Sequence, residues 1–338
     1  MFKFWFLLIF LFFLVLVFSL KVGYTDIGFL ELFNTLSKPN VESNFSHIIY
    51  ELRLPRMIAA FVVGISLSLS GVILQSILKN PLASPFTLGL SQGAAFGASF
   101  SIIILSSTTI TITYLGELNL IVIGAFFGSI LAASIIIGLS FIKEITPESL
   151  ILSGVALASL FGALTMLLQY FANDNELASA VFWTFGDLSK GTYTEIIILA
   201  IVILISLIFV MYKAWDFNAI IWDENYSKSL GIKTWTLRVY AIFIASLLTS
   251  VATAFYGVIG FVGLVAPHVI KIIYPHAKHH FLFLSSSFLG GVFLMCSDLL
   301  ARQILSPINL PVGILTAFVG VPLFLYIIIR KSLNDRTR

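Results

Sequence analysis

The sequence predicts an all-α, polytopic membrane protein of about ten transmembrane helices, and its composition and hydropathy carry that prediction. Of the 338 residues, 59% are hydrophobic and only 10% are charged, whereas charged residues make up about 25% of a soluble globular chain. The mean hydropathy is +1.05. Long apolar runs recur along the whole chain, and a run of about 20 residues crosses the bilayer as a helix.

The spans are placed where apolar runs stop at charges, proline or polar clusters. The ten predicted spans are 2–20, 57–78, 92–107, 119–141, 149–171, 192–212, 238–258, 261–274, 281–300 and 312–330. The eighth is short and only Ile259-Gly260 separates it from the seventh, so we expect it to be tilted or broken. The first competes with a signal peptide, whose apolar stretch is about 7–15 residues. The run from Phe4 to Leu20 is longer and favours a retained span.

The lysine and arginine residues place both termini in the cytoplasm. With the N-terminus inside, most of the 19 fall on the inner side, as expected when positively charged loops stay in the cytoplasm.

Glycine and serine residues at close, regular spacing predict tight helix–helix contacts within the bundle. These residues are Gly64 with Ser68, Gly93 with Gly97, Gly124 with Gly128, and the series Gly257, Gly260 and Gly263.

The sequence carries no catalytic motif. It contains neither the phosphate-binding G-x-x-x-x-G-K-[ST] loop nor the zinc motif H-E-x-x-H, and no Ser/His/Asp arrangement stands out. Carboxylates are nearly absent from the predicted spans, with Asp298 near the end of the ninth as the clearest case. Proton- and sodium-coupled carriers usually keep ionisable residues deep in the membrane. A secondary transporter acting alone is therefore the weaker alternative, and energy is expected to enter from another subunit.

The histidines, the cysteine and the net charge indicate no cofactor, no metal and no nucleic-acid partner. His276, His279 and His280 flank Lys278 in an inner loop. They could bind a metal, but the intervening lysine favours a solvated loop. Cys296 is the one cysteine and lies in an apolar run, so it forms no Cys-rich metal site. The formal net charge is only +3.

A long polar loop at 213–237 lies on the inner side. Its core, from Trp222 to Gly231, predicts a short polar helix ended by glycine. Such a helix is either a solvated connector or a docking element for a soluble partner, and the pattern alone leaves both open.

Four separated segments carry a family pattern. They are Arg53-Leu54-Pro55-Arg56 with Gly64 and Ser70-Gly71; Gln75 to Gly93 with Asn80-Pro81-Leu82-Ala83; Gly260 to His268; and Asp298-Leu299-Leu300-Ala301-Arg302 with Leu310 to Thr316. Their order and spacing, over nearly the whole chain, resemble the permeases of ATP-binding-cassette (ABC) importers for ferric siderophores, haem and vitamin B12, the FecCD-type permeases.

This resemblance implies a type II ABC-importer permease with helices two to five and seven to ten related by an inverted repeat. It implies one permease domain over 1–338 in the bacterial cytoplasmic (inner) membrane. The implied partners are a second permease subunit, expected to make a homodimer, two cytoplasmic ATP-binding subunits, a periplasmic or surface substrate-binding protein and the lipid bilayer. The expected cargo is a ferric chelate, either a siderophore or haem, with a corrinoid as the alternative. ATP hydrolysis belongs to the separate subunits, so the chain itself is not an enzyme.

The resemblance also assigns three arginines at the outer side. Arg53, Arg56 and Arg302 would dock acidic residues of the binding protein, since arginine makes bidentate, charge-assisted contacts with carboxylates. Contact with lipid headgroups is the alternative. Asp298 precedes Arg302 by four residues, so on a helix it could orient that guanidinium.

At the inner side, the resemblance assigns a coupling helix that sits in a cleft of the ATPase. Glu224, Leu230 and Gly231 match the family pattern, whereas Asp223 and Ser227 replace a usual Gly and a usual Ala. The resemblance therefore predicts that the loop lies against the ATPase, but it does not predict which of its residues make the contacts.

A cytoplasmic gate is expected at Thr146, where the family places small hydroxyl residues. Pro147 and Glu148 depart from that pattern. The transport path is expected along span five, from Leu150 to Phe171.

Overall fold

The computed structural model describes residues 2–23, 27–37, 44–105, 117–142, 146–222, 224–306 and 308–336, and this described part consists of helices and connecting turns without β-strands. In chain order the helices are α1 (Phe2–Lys21), α2 (Phe29–Ser37), α3 (Asn44–His47), α4 (Leu54–Ile77), α5 (Leu90–Phe100), α6 (Glu117–Ser140), α7 (Pro147–Tyr170), α8 (Asp174–Thr184), α9 (Tyr193–Tyr212), α10 (Ala214–Trp222), α11 (Glu224–Ser229), α12 (Thr234–Tyr256), α13 (Val262–Ile273), α14 (His279–Gln303) and α15 (Val312–Arg336). Two π-helical segments continue them: Ile48–Arg53 leads from α3 into α4, and Ser101–Leu105 extends α5.

Each of the ten predicted spans corresponds to a helix, which confirms the all-α polytopic fold. Seven helices in the described ranges are long and apolar enough to cross a membrane: α1, α4, α6, α7, α9, α12 and α14. The shorter apolar helices Leu90–Leu105, Val262–Ile273 and Val312–Tyr326 account for the other three. At 1.5 Å per residue, α13 rises only about 18 Å in a hydrocarbon core about 30 Å thick. The eighth span is short, as predicted, but α13 is continuous, and the break lies before it in the non-helical segment 257–261.

The helix packing follows the expected inverted repeat, in which α4 to α7 correspond in order to α12 to α15. Helix α4 packs against α13 and α14, and the corresponding α12 packs against α5 and α6. The contacts of α5 with α6 and α7 recur as contacts of α13 with α14 and α15. This exchange of partners is what a pseudo-two-fold axis in the membrane plane produces.

Glycines bring helix backbones into direct contact, as their spacing predicts. Without a side chain, two backbones can approach closely, and in lipid such packing replaces the hydrophobic drive between helices. An added Cβ would overlap a facing carbonyl group at each of these positions. The pairs are Gly64 with Gly290, Gly93 with Gly128, and Gly97 with Gly124.

The helix contacts predicted for the series Gly257, Gly260 and Gly263 are present at the first and last of these glycines, and the prediction is wrong for Gly260. The carbonyl of Gly263 lies against Gly71 in α4, and an added Cβ at Gly257 would lie 2.6 Å from the carbonyl oxygen of Trp183 in α8. Gly257 ends α12 with φ of +75°, and an added Cβ at Gly260 would meet nothing within 4 Å. Because α12 ends at Tyr256, the three-residue spacing does not place these glycines on one face of a single helix.

Serine hydroxyls of α4 add interhelical hydrogen bonds, which are a second source of helix association in lipid. Each donates to a backbone carbonyl at 2.7–2.9 Å. The bonds run from Ser66 to Leu248 and from Ser70 to Ala245 on α12, and from Ser68 to Ser286 on α14.

Helix α1 packs against α4 and α14. The ring of Phe12 lies 4.8 Å from that of Phe61 on α4, and Trp5 contacts Phe288 on α14 edge to face at 6.0 Å. Four helices lie outside the predicted spans, because they are short and carry mixed polar and apolar residues: α2, α3, α8 and α10.

Candidate functional site

At the end of the bundle predicted to face outward, Arg53 closes the C-terminus of α1. The last carbonyl groups of a helix lack partners within it. Arg53 Nη1 donates to the carbonyl oxygens of Leu20 and Lys21 at 2.6 and 2.7 Å, and its positive charge suits the helix dipole there. An added Cβ at Gly23 would lie 2.6 Å from Arg53 Nη2. A side chain at position 23 would therefore require this guanidinium to shift.

Asp298 on α14 joins the other two arginines. Its Oδ1 accepts a hydrogen bond from Arg56 Nε at 2.9 Å and lies 2.8 Å from Arg56 Nη2. Its Oδ2 lies 3.1 Å from Arg302 Nε, and Arg302 Nη2 donates to Ser19 Oγ on α1 at 2.6 Å. The orientation of Arg302 by Asp298 is as predicted. The contact with Arg56 spans 242 positions, and no local spacing could have found it.

These four residues, Arg53, Arg56, Arg302 and Asp298, form the outer arginine cluster. Arg56 and Arg302 share the one carboxylate, and Arg53 adds a third positive charge at the end of α1, so the cluster keeps an excess of positive charge. Arg53 and Arg302 are only 7% and 8% exposed. Arg56 binds Asp298 through Nε and Nη2, and a guanidinium carries five N–H donors. Arg56 Nη1 is thus available for an incoming carboxylate, as far as the described residues show.

At the inner side, the predicted coupling segment forms α10 and α11. The expected short helix is confirmed at α11, which begins at Glu224 and ends before Gly231. Gly231 has φ of +79°, the left-handed conformation that commonly ends a helix. Ser227 is buried, whereas Leu230 is 56% exposed. The segment is anchored on one side and presents an apolar side chain on the other. Asp223 lies outside the described residues.

His279 is buried, so the solvated-loop expectation is wrong for this residue. Its backbone N donates to Asn218 Oδ1 at 3.0 Å, and its Nδ1 lies 2.8 Å from the same oxygen. The amide of α10 thereby caps α14 and ties the coupling segment to the bundle. His276 is exposed, and the ring of His280 contacts Trp215 at 5.7 Å. Within the described ranges, no group of three or more His, Cys, Asp or Glu could hold a metal ion.

Thr146 caps the inner end of α7. Its Oγ1 accepts a hydrogen bond from the backbone N of Ser149 at 3.2 Å, and Pro147 occupies the first helical turn. Both features are typical of a helix start. The residue predicted as a gate therefore lies at the N-terminal end of the span predicted to line the path, which is the end expected to face the cytoplasm.

Two cavities, of about 600 and 570 Å³, open on the side of the bundle that carries α7 and α15. The first lies between α15, the C-terminal end of α8 at Thr184 and Phe185, and the non-helical segment 258–261, and the second runs along α7. No charged side chain lines either cavity among the described residues. Their lining side chains include Phe185, Phe261 and Phe318 in the first, Gln92, Ser159 and Met166 in the second, and Phe86 in both.

Comparison with known proteins identifies the family. Residues 9–330 match the model described as the FecCD transport family. A Methanocaldococcus jannaschii protein named as an ABC transporter permease is 48% identical over 286 residues, which cover 84% of this chain and 82% of the relative. A Helicobacter pylori protein named as an iron chelatin transport system permease is 36% identical over 288 residues, or 85% and 84% of the two chains.

A solved structure agrees with these relatives. It is described as an inward-facing conformation of a metal-chelate type ABC transporter, and it matches with a TM-score of 0.82 at 30% identity over 96% of this chain and 98% of the other. With the family model spanning nearly the whole bundle, the chain belongs to the FecCD transport family.

Proposed function

We propose that this chain carries a ferric chelate, a siderophore or haem, across the cytoplasmic membrane, with energy supplied by separate ATP-binding subunits. Membership of the FecCD family makes it the membrane-spanning permease of an ABC importer, a transport component rather than an enzyme. A corrinoid is the second candidate cargo, because a Vibrio vulnificus relative named for vitamin B12 import is 30% identical.

The uncharged lining of the two cavities supports a bulky organic chelate. Relatives in the family are named for hemin in Yersinia pestis, at 32% identity, and for molybdate in Haemophilus influenzae, at 33%. A compact oxyanion that leaves water needs charged or hydrogen-bonding partners. The cavities instead offer phenylalanine and aliphatic side chains with few hydroxyl and amide groups, a surface that suits the organic shell of a chelate.

We expect the working unit to contain two copies of this chain, two cytoplasmic ATP-binding subunits and an outer binding protein. Large apolar side chains remain exposed on the side that bears both cavities. They include Leu152, Met166 and Tyr170 on α7 and Phe318 on α15. A second copy packed on this side would enclose the cavities between the two permeases. Both chain termini would lie in the cytoplasm.

The outer arginine cluster is the proposed docking site of the binding protein. Its excess positive charge and firmly held guanidinium groups suit acidic side chains, and such charges also speed the encounter of two proteins. On the inner side, Glu224, Leu230 and Gly231 are proposed to contact the ATPase, and Thr146 is proposed as part of the cytoplasmic gate. The exposed Leu230 is the strongest support on that side.

These parts combine in an alternating-access cycle. The loaded binding protein docks on the outer cluster and releases the chelate into the cavities. ATP binding closes the two ATPase subunits, and α10 and α11 transmit that motion to α14 through the Asn218–His279 contact. Hydrolysis then resets the permease. The chain itself moves its cargo without forming a covalent bond to it.

Uptake in a strain lacking this chain tests the cargo. Labelled ferric hydroxamate siderophore, haem and cobalamin are offered side by side, and the chain is then re-expressed. We expect loss and restoration of uptake of one iron chelate. Loss of cobalamin uptake alone would replace the proposed cargo with the corrinoid, and unchanged uptake of all three would overturn the cargo proposal.

A further inference from the structure

A third cavity, of about 580 Å³, lies between α10 and the turn that leads from α13 into α14, at the end of the bundle predicted to face the cytoplasm. The side chains that line it include Trp215 and Asn218 from α10, and His276, Lys278 and His279 from the turn and the start of α14. No carboxylate lines the cavity among the described residues. Its basic and polar lining sets it apart from the two apolar cavities along α7 and α15.

The cavity carries a fixed positive charge. Lys278 Nζ lies 5.3 Å from the centre of the Trp215 ring, a cation–π contact that holds the ammonium group without neutralising it. Lys278 is also the N-cap residue of α14, where the helix dipole adds partial positive charge. Asp216, the one acidic residue of α10, lies 3.0 Å from Lys213 and is already paired. The cavity is therefore suited to an anion.

Asn218 adds a hydrogen-bond donor that has no partner among the described residues. Its Oδ1 accepts the backbone N–H of His279 at 3.0 Å. Because a backbone N–H can only donate, the oxygen of the amide must face α14. Asn218 Nδ2 is buried and makes no hydrogen bond within the described ranges. A buried donor without an acceptor is unfavourable, so a ligand oxygen that paired with it would stabilise the contact between α10 and α14.

The cavity lies at the lipid-facing side of the bundle. The two long spans beside it, α1 and α9, are the least buried of the seven, with 22% of the apolar stretch buried in each. Helix α10 follows α9 directly, and the ring of Phe4 on α1 lies 5.6 Å from that of Tyr274, next to the cavity wall. Trp215 is 64% exposed, which is typical of the aromatic belt at a membrane surface. The proposed second permease lies along α7 and α15 and leaves this side to lipid.

We propose that this cavity binds the phosphate group of an anionic phospholipid, such as phosphatidylglycerol, from the leaflet at this end of the bundle. Basic pockets between transmembrane helices at the cytoplasmic side are suited to anionic headgroups. Lys278 supplies the charge, Asn218 Nδ2 donates to a phosphate oxygen, and the acyl chains lie along α1 and α9. Since Asn218 also caps α14, a bound headgroup holds the coupling segment against the bundle. The inference requires only that the chain spans a membrane and is independent of the proposed cargo.

Lipid binding to the intact permease tests this inference. The full-length chain, freed of lipid in detergent, is titrated with phosphatidylglycerol or with phosphatidylcholine of the same acyl chains, and bound lipids are counted by native mass spectrometry. We expect the first phosphatidylglycerol to bind about fivefold more tightly than the first phosphatidylcholine, because one lysine at an anionic headgroup contributes about that factor. Equal affinities for the two lipids would overturn the inference.

Replacement of Lys278 locates the binding site. Lys278→Gln should abolish the preference for phosphatidylglycerol, and Lys278→Arg should retain it. Lys278 is exposed, so both variants should fold, and unchanged thermal unfolding without added lipid verifies this. Lys233→Gln is the matched control and should keep the preference, because Lys233 is an exposed lysine of the same predicted inner side that lies outside the cavity. A preference that survives in Lys278→Gln, or is lost equally in Lys233→Gln, would overturn the assignment.

Two comparisons separate the lipid from other occupants. Glycerol 1-phosphate carries the same phosphate ester without acyl chains and should not displace the bound lipid. Displacement would assign the cavity to a soluble phosphate ester and overturn the proposal. Association with the ATP-binding subunits is measured on the same variants. If Lys278→Gln weakened that association and left lipid binding unchanged, the cavity would belong to the ATPase interface and the proposal would fail.

Discussion

Removing the carboxylate of Asp298 should strongly destabilise the outer end of the bundle. The residue is 1% exposed and lies within 2.8–3.1 Å of two guanidinium groups. Breaking a buried ion pair by deleting one partner typically costs about 3–5 kcal/mol, because the other charge stays buried without compensation. Arg302 keeps its bond to Ser19, and Arg56 is near the surface with a side chain 11% exposed. We therefore expect Asp298→Ala to cost about 3 kcal/mol, near the lower end of that range.

Equilibrium unfolding in mixed detergent micelles, followed by far-ultraviolet circular dichroism, measures this loss. A cost of 3 kcal/mol corresponds to a change of roughly a hundredfold in the unfolding equilibrium constant. Asp298→Asn keeps an acceptor oxygen and should cost less than Asp298→Ala. In the double variant Asp298→Ala/Arg302→Met the total cost should fall below the sum of the single costs, because one of the two charges that lose their carboxylate is gone.

Asp174→Ala supplies the control for this series. Asp174 is exposed in the first turn of α8, so its removal should cost about 1 kcal/mol or less. If Asp298→Ala were no less stable than Asp174→Ala, the carboxylate would not organise the outer arginine cluster and the reasoning would be refuted.

Three further predictions concern helix packing, docking and coupling. In Gly71→Ala the added methyl group should overlap the carbonyl of the facing helix, which should lower the stability by about 1–3 kcal/mol or prevent folding. Gly162→Ala is the control and should be neutral, because nothing lies within 4 Å of an added Cβ there. Fluorescence-detected size exclusion compares the two variants, and equal elution profiles would contradict the tight α4–α13 contact. Arg56→Gln should weaken the affinity for the binding protein about tenfold, or about 1.4 kcal/mol, as measured by calorimetry at low salt. Lys190→Gln, at an exposed residue of the predicted outer side, should leave the affinity unchanged. Equal affinities of the two variants would contradict the docking role. Leu230→Asp should abolish stimulation of the ATPase by loaded binding protein without lowering its basal hydrolysis, and retained stimulation would count against the coupling helix.

The ten spans were predictable from the sequence because the bilayer imposes a length and a composition on every crossing helix. The inverted repeat was only implied by the family resemblance and became visible in the exchange of helix partners. Helices such as α2 and α8 escaped prediction, since they are short and mixed in polarity. Glycine spacing located real contacts at Gly97 and Gly124 but failed at Gly260, where the helix has already ended.

The candidate site was predictable only where its contacts are local. Asp298 and Arg302 lie four residues apart on one helix, so their pairing followed from spacing. The contact of Asp298 with Arg56 depends on tertiary packing, as does the burial of His279 against Asn218, which lies 61 positions away. A loop rich in histidine and lysine suggests solvent exposure until the helix that covers it is known.

Energy dependence tests the central claim most directly. The permease, its ATPase and its binding protein are reconstituted in vesicles, and uptake of labelled ferric chelate is measured with ATP, with a non-hydrolysable ATP analogue, and with an imposed proton or sodium gradient. Uptake that requires both ATP hydrolysis and the binding protein, with no response to either gradient, is the predicted result. Gradient-driven uptake by this chain alone would contradict the account and identify a secondary transporter.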